Sequence, residues 1–190
     1  MNYLGHIYFS SSNEMAIANL FGDVVKGSSF HHYPTLIQEG ITLHRKLDDF
    51  MDNHRAVKTV CAILRVDLPK VAPIAMDIFF DHLLAKNWRE FHSKPYEQFL
   101  AEFYLQIAET KKIFPEDFQG FLSNMIHYNW MSHYGEAYGL FKMCQGVSNK
   151  LSFENALKNG HLAFEKHENI IVSAFYEYMR DANEYFLTNS

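Results

Sequence analysis

The sequence predicts an all-α fold, one compact multi-helix domain over 1–190, and three observations carry that expectation. Apolar residues recur at helical spacing, the alternation typical of strands is scarce, and Gly, Pro, Asp and Ser cluster in gaps of loop length rather than in linkers. With 48% hydrophobic residues in 190, the chain can build one sizeable core. Aromatic content of 16% is more than a disordered tail would carry. No internal repeat or low-complexity segment interrupts the pattern.

Taken in order, helices are expected over 14–26, 34–54, 55–66, 73–91, 95–113, 115–145 and 152–187. The first ends where Gly27 to Pro34 break the pattern. The second carries the stripe Leu43, Leu47, Phe50 and Met51, preceded by Ile41. The third stops at the punctuated stretch Asp67 to Pro73, and the fourth opens on that proline. Phe99, Phe103, Leu105 and Ile107 mark the fifth, between His92–Pro95 and Phe114–Asp117. The sixth is long enough to break near Gly135 or Gly139, and the last follows Gly146 to Ser152.

A net charge of −5 and a pI near 6.1 argue against a nonspecific nucleic-acid binder. No apolar run reaches membrane-spanning length and the N-terminus lacks a basic leader pattern, so a cytoplasmic protein is expected, with neither nucleic acid nor membrane as partner. Cys61 and Cys144 each sit within an apolar helical pattern and form no Cys-x-x-Cys pair; two buried reduced thiols are expected.

The chemistry concentrates in two segments. In 73–84, Asp77, Asp81 and His82 lie among residues that are apolar almost all the way round. An unpaired buried carboxylate costs several kcal/mol, so such groups pair, neutralise or bind a metal. Asp77 and Asp81 share a helix face, and His82 lies about 100° further round. In 40–53, His44, Asp48 and Asp52 recur at four-residue spacing along the core boundary, so an imidazole and a carboxylate can face one point. Within such a pair the carboxylate is either a ligand or the acceptor that fixes the imidazole tautomer. Arg45, beside this row, suits a pair of phosphate oxygens. His6 and Asp23, single polar residues among apolar neighbours, complete the candidates.

Imidazoles and carboxylates without thiolates suit Mn, Fe, Mg or Zn. Such a metal polarises a phosphoryl oxygen and lowers the pKa of bound water, which points to phosphoester hydrolysis. The competing reading is an internal salt-bridge network, in which Asp77 and Asp81 pair with Arg45, Lys46 or Arg89 and His82 caps it. His161, Glu165 and Glu168 fit a solvated face better than a site. His31, His32, His127 and His133 lie in loop-like or aromatic surroundings, where Tyr128, Trp130, Tyr134 and Tyr138 read as packing or as the lining of a groove. Nucleotide-binding glycine loops and the Gly-x-Ser-x-Gly elbow are absent.

In sequence order, Met1-Asn-Tyr-Leu-Gly-His6, Asn19-Leu-Phe-Gly-Asp23-Val-Val-Lys-Gly27, Gly40-Ile-Thr-Leu-His44-Arg45-Lys-Leu-Asp48 with Asp52-Asn53, and Val71-Ala-Pro-Ile-Ala-Met-Asp77-Ile-Phe-Phe-Asp81-His82-Leu-Leu with Trp88 resemble the acyl carrier protein phosphodiesterases. Weaker similarity continues through Trp130, Tyr134 and Gly146. The resemblance implies a helical fold distantly related to the HD phosphohydrolases and a metal-dependent activity, preferentially with Mn, that cleaves the phosphodiester between 4'-phosphopantetheine and the serine of the carrier protein. It also implies His6, Asp23, His44, Asp81 and His82 at the metal, Arg45 on phosphate, and Asp48 and Asp77 as supporting or proton-handling groups. Asp81-His82 reverses the His-Asp order of HD enzymes, so coordination is not copied from them. An acidic carrier partner would need a local basic patch, for which Lys26, Arg45, Lys46, Arg55, Lys58, Lys70 and Arg89 are available. The rivals are an HD-like hydrolase of a nucleotide or other small phosphoester, a di-iron carboxylate bundle disfavoured by the absence of Glu-x-x-His, and a non-catalytic helical interaction module.

Overall fold

The computed structural model describes residues 1–188, and they contain helices and no strand. In chain order these are α1 (Tyr3–Tyr8), α2 (Asn13–Phe21), α3 (Thr35–Asn53), α4 (Arg55–Leu64), α5 (Ala72–Lys86), α6 (Trp88–Phe91), α7 (Tyr96–Thr110), α8 (Glu116–His127), α9 (Ala137–Lys150) and α10 (Gly160–Leu187). Short 3-10 turns at Lys111–Ile113 and Leu157–Asn159 extend α7 and lead into α10. The all-α expectation therefore holds, while several boundaries move.

Helix α5 is the axis of the fold. It packs on α1, α4, α6, α9 and α10, and from Ala72 to Ala85 nearly every side chain is buried. Being apolar on nearly every side, it meets solvent only near Pro73, Asp77 and Lys86. The tightest neighbours elsewhere are α2 and α3, which approach because Gly40 has no side chain: a Cβ there would sit 2.4 Å from that of Ala18. Phe21, Phe114 and Phe118 form a cluster of edge-on and tilted rings joining α2 to α8. One buried core runs from Met1 to Phe186, with Cys61 and Cys144 inside it as free thiols. Burial pushes their pKa values up to about 11 and about 12, which keeps them inert.

The differences from the expected boundaries have local causes. Helix α1 is missing from the expected set because six residues are too few to show a period; it exists only through its tertiary contacts. Helix α2 stops at Phe21 rather than 26. The chain then loops to Pro34, with Gly27 in the left-handed region at φ 70°. The expected 115–145 helix breaks earlier than Gly135, into α8 and α9, where Asn129 turns the chain at φ 46°. Residues 152–159 are not regular α-helix, and α10 bends at His167, whose imidazole and neighbour Lys166 both hold Asp67.

Candidate active site

The turn spacing of α3 places Asp48 one turn beyond His44, so that Asp48 Oδ2 lies 3.2 Å from His44 Nε2. Helix α1 brings His6 to the same carboxylate, with its Nε2 3.2 Å from Asp48 Oδ1. The two imidazoles stack at 4.2 Å, 17° from parallel. Gly22 lets the chain after α2 lie against them, since a Cβ there would come within 2.5 Å of His44 Cβ. One donor atom from each of His6, His44 and Asp48 falls within 4.8 Å of the others.

Asn19, inside α2, sets the tautomer of His6. Its amide nitrogen donates to the His6 carbonyl at 3.0 Å and to Ser10 Oγ at 3.1 Å, which fixes the orientation of the amide. Asn19 Oδ1 must then accept from His6 Nδ1, at 2.9 Å. With the proton on Nδ1, neutral His6 turns a bare Nε2 lone pair towards a carboxylate oxygen. Burial lowers the pKa of His6 despite the neighbouring carboxylate, so a second ring proton is disfavoured. Burial pushes the Asp48 carboxyl up, but the hydrogen bond from His44 outweighs it and the carboxyl is held well below the usual carboxylate range. Asp48 thus favours positive charge at a point where His6 does not supply it. The Nδ1 atom of His44 is also buried without a hydrogen-bond partner.

The cluster opens into a cavity of about 540 Å³ whose lining includes Asp23, Asp52, Asp77, Lys150 and the α-amino group end of Met1. That amino group pairs with Asp77 Oδ1 at 3.0 Å. Partial burial, with Asp77 and Asp48 nearby, raises the Asp52 carboxyl. Four carboxylates around one small opening favour a cation. An all-oxygen-and-nitrogen donor set with two acceptor atoms turned towards each other fits a hard or borderline divalent ion, with His6, His44 and Asp48 as the residues to hold it.

Of the residues expected at the site, the structure brings together His6, His44 and Asp48 and places Asp23 and Asp77 on the same cavity wall. Three others lie elsewhere. Asp81 is fully buried and accepts the backbone N–H of Leu4 at 2.7 Å and of Gly5 at 3.0 Å, so both its oxygens cap the first turn of α1. His82 points away from the cavity; its Nδ1 donates to the Tyr134 carbonyl at 2.7 Å and its ring meets Phe164 edge-on. Arg45 turns back onto the loop after α2, donating to the carbonyls of Val25 and Gly27 and lying 4.7 Å over the Phe30 ring. A side chain spent on those contacts does not reach into the cavity. The salt-bridge network fails as well, because Asp77 and Asp81 pair with the α-amino group and with backbone amides. In the proposed basic patch, Lys26 bonds the Asp23 carbonyl and Lys58 bonds Asn53.

Two site residues escaped the sequence reading. Asn19 carried the same signal as His6, a polar residue between the apolar Ala18 and Leu20. Lys150, at the end of α9, carried none; only the packing of α9 on α5 brings it to the cavity. Glu165 and Glu168 are exposed as expected, the latter paired with Lys86, whereas His161 is half buried against Phe141.

Fold and site together define a helical protein in which the short α1 and the long α3 bring an imidazole–imidazole–carboxylate cluster to the wall of an open cavity rich in carboxylates. The chain belongs to the acyl carrier protein phosphodiesterase family, whose model matches residues 1–182. It is 26% identical to the acyl carrier protein phosphodiesterase of Salmonella dublin over 180 residues, covering 94% of this chain and 93% of that protein. Identity to the proteins of the same name from Enterobacter sp. (strain 638) and Salmonella paratyphi A is 26% and 25% over the same coverage. No solved structure matches.

Proposed function

We propose that this protein is a cytoplasmic, divalent-metal-dependent phosphodiesterase, with Mn as the preferred ion, that releases 4'-phosphopantetheine from the serine of holo-acyl carrier protein. Family membership supports the reaction, and the observation that carries metal dependence is the Asn19 amide, whose contacts turn its oxygen to His6 Nδ1 and so assign the ring proton there. Its Nε2 lone pair faces Asp48 across 3.2 Å, an arrangement that repels unless a cation lies between them.

His6, His44 and Asp48 would hold the ion. When bound, a divalent cation supplies Lewis-acid polarisation of a phosphoryl oxygen and a lower pKa for water. Asn19 holds the His6 ring in the orientation and tautomer that ligation needs. Asp81, by capping α1, fixes the backbone from which His6 projects. Lys150, which lines the cavity, would take the phosphate-facing role expected of Arg45, and Asp77 or Asp23 would move a proton between water and the leaving serine. No helix among the described residues is long and apolar enough to cross a membrane.

The test is the conversion of holo to apo carrier protein by purified protein with added Mn²⁺, followed by the mass lost from the carrier. Absence of that loss across Mn²⁺, Mg²⁺, Fe²⁺ and Zn²⁺ would overturn the assignment. Metal content of gently purified protein gives an independent check.

A further inference from the structure

A second cavity of about 640 Å³ adjoins the first, and the two share Asn2, Tyr3, Val147 and Lys150 in their walls. Its own lining is aromatic: Trp130, Tyr134 and Tyr138, with Tyr3 stacked on Trp130 at 6.2 Å between ring centroids. Asn2, Asn129 and His133 add amide and imidazole groups along it. Lysines sit over two of the rings, Lys150 Nζ 5.4 Å from the Trp130 centroid and Lys142 Nζ 5.5 Å from that of Tyr138.

We propose that this groove binds the pantetheine arm of the substrate while its phosphate lies in the first cavity; the proposal rests on the phosphodiesterase reading above. Lys150 stands at the junction, where the phosphate joins the arm. The arm alternates amides and a hydroxyl with a gem-dimethyl group and methylene pairs, which matches a wall of rings interspersed with amide side chains. The volume falls within the roughly 300–1,000 Å³ of sites that enclose a ligand of about that size. Two sites that share a wall can hold the two halves of one molecule, with the carboxylates lining the first and Trp130, Tyr134 and Tyr138 lining the second. The groove therefore measures the arm, and the cluster around Asp48 acts on the bond at its end.

The experiment uses the full chain and two probes, pantetheine, which has no phosphate, and 4'-phosphopantetheine. Tryptophan fluorescence reports the groove, because Trp130 lines it and the other tryptophan, Trp88, is 2% exposed. Both probes should quench the wild type, the phosphorylated one at lower concentration. Gly146 on α9 lines the groove, and a Cβ there meets nothing within 4 Å, so Gly146→Phe adds bulk with no clash at its Cβ. It should weaken pantetheine quenching and raise KM for holo carrier protein by about tenfold or more, with Mn²⁺ binding by calorimetry unaltered. Tyr138→Ala, which removes bulk instead, should also weaken quenching. Unchanged quenching and KM in both variants would overturn the proposal, as would quenching by a long-chain acyl pantetheine but not by pantetheine itself. If the wild type does not cleave holo carrier protein, the phosphodiesterase reading fails, and pantetheine quenching still decides what the groove binds.

Discussion

Helices α3 and α5 each carry aspartates four residues apart, yet Asp48 and Asp81 end in opposite circumstances. Asp48 is half exposed, faces two imidazoles and is held below the ordinary carboxylate range. Asp81 is wholly buried, accepts two backbone amides and is pushed up to about 7 by burial, with the α-amino group and the Gly5 and Leu4 amides pulling it down. The more deeply buried acid is thus the scaffold and the more accessible one faces the chemistry. Burial alone measures how costly a charge is, whereas function needs an unsatisfied side turned towards solvent.

The largest effect that sharpens this contrast is expected at Asp48. Asp48→Asn and His44→Ala should each lower kcat/KM by about 10³-fold or more, since the bound ion contributes several kcal/mol to the transition state. Circular dichroism should show helical content retained; full turnover in either variant would remove α3 from the site. Next comes the partner of His6: Asn19→Leu should weaken Mn²⁺ binding by about 10–100-fold, read by calorimetry, because the ring loses the acceptor that sets its tautomer. Unchanged affinity would break the tautomer argument.

Asp81→Asn should behave differently from both. Asparagine offers one acceptor to two N–H donors, so stability should fall by about 1–3 kcal/mol in denaturant melts, with metal affinity changing less than in Asn19→Leu. The reverse pattern, lost Mn²⁺ binding at constant stability, would return Asp81 to the metal.

The smallest expected effect is in the pH dependence of stability, where the two carboxylates should give opposite signs. The folded protein holds a proton on Asp81 more tightly than the unfolded chain does. Its contribution is full below the ordinary pKa of 3.8 and is lost as pH rises through about 7. For Asp48 the folded pKa is depressed, so its contribution is present above 3.8 and is lost as pH falls. In metal-free protein, the gap in Tm between wild type and Asp81→Asn should therefore narrow as pH rises from about 4 to about 7. The gap to Asp48→Asn should instead close on acidification. Slopes of the same sign would contradict the distinction.

Much of this arrangement was legible from residue spacing. His44 and Asp48 share a face because 3.6 residues make a turn, so one half of the cluster follows from α3 being a helix. The apolar surroundings of Asp81 correctly marked it as buried and in need of partners. What those partners were was not legible: backbone amides leave no mark in the sequence, and the capped helix α1 is too short to announce itself. Arg45 lay in the right place on α3, but the loop after α2 supplied carbonyls that claim its guanidinium. For the tyrosines and tryptophan around residue 130 the sequence left packing and groove lining both open, because periodicity cannot tell a core face from the wall of a groove.

The chain's own pattern of apolar residues determined a helical domain, and its ordered motifs determined the family, since both depend on interactions or similarities that run along the sequence. Which polar groups meet was decided only when α1 docked on α5 and α3. Contacts between residues 6 and 48, or 4 and 81, join positions that no helical period relates, and their selection depends on the three-dimensional competition for each buried donor and acceptor.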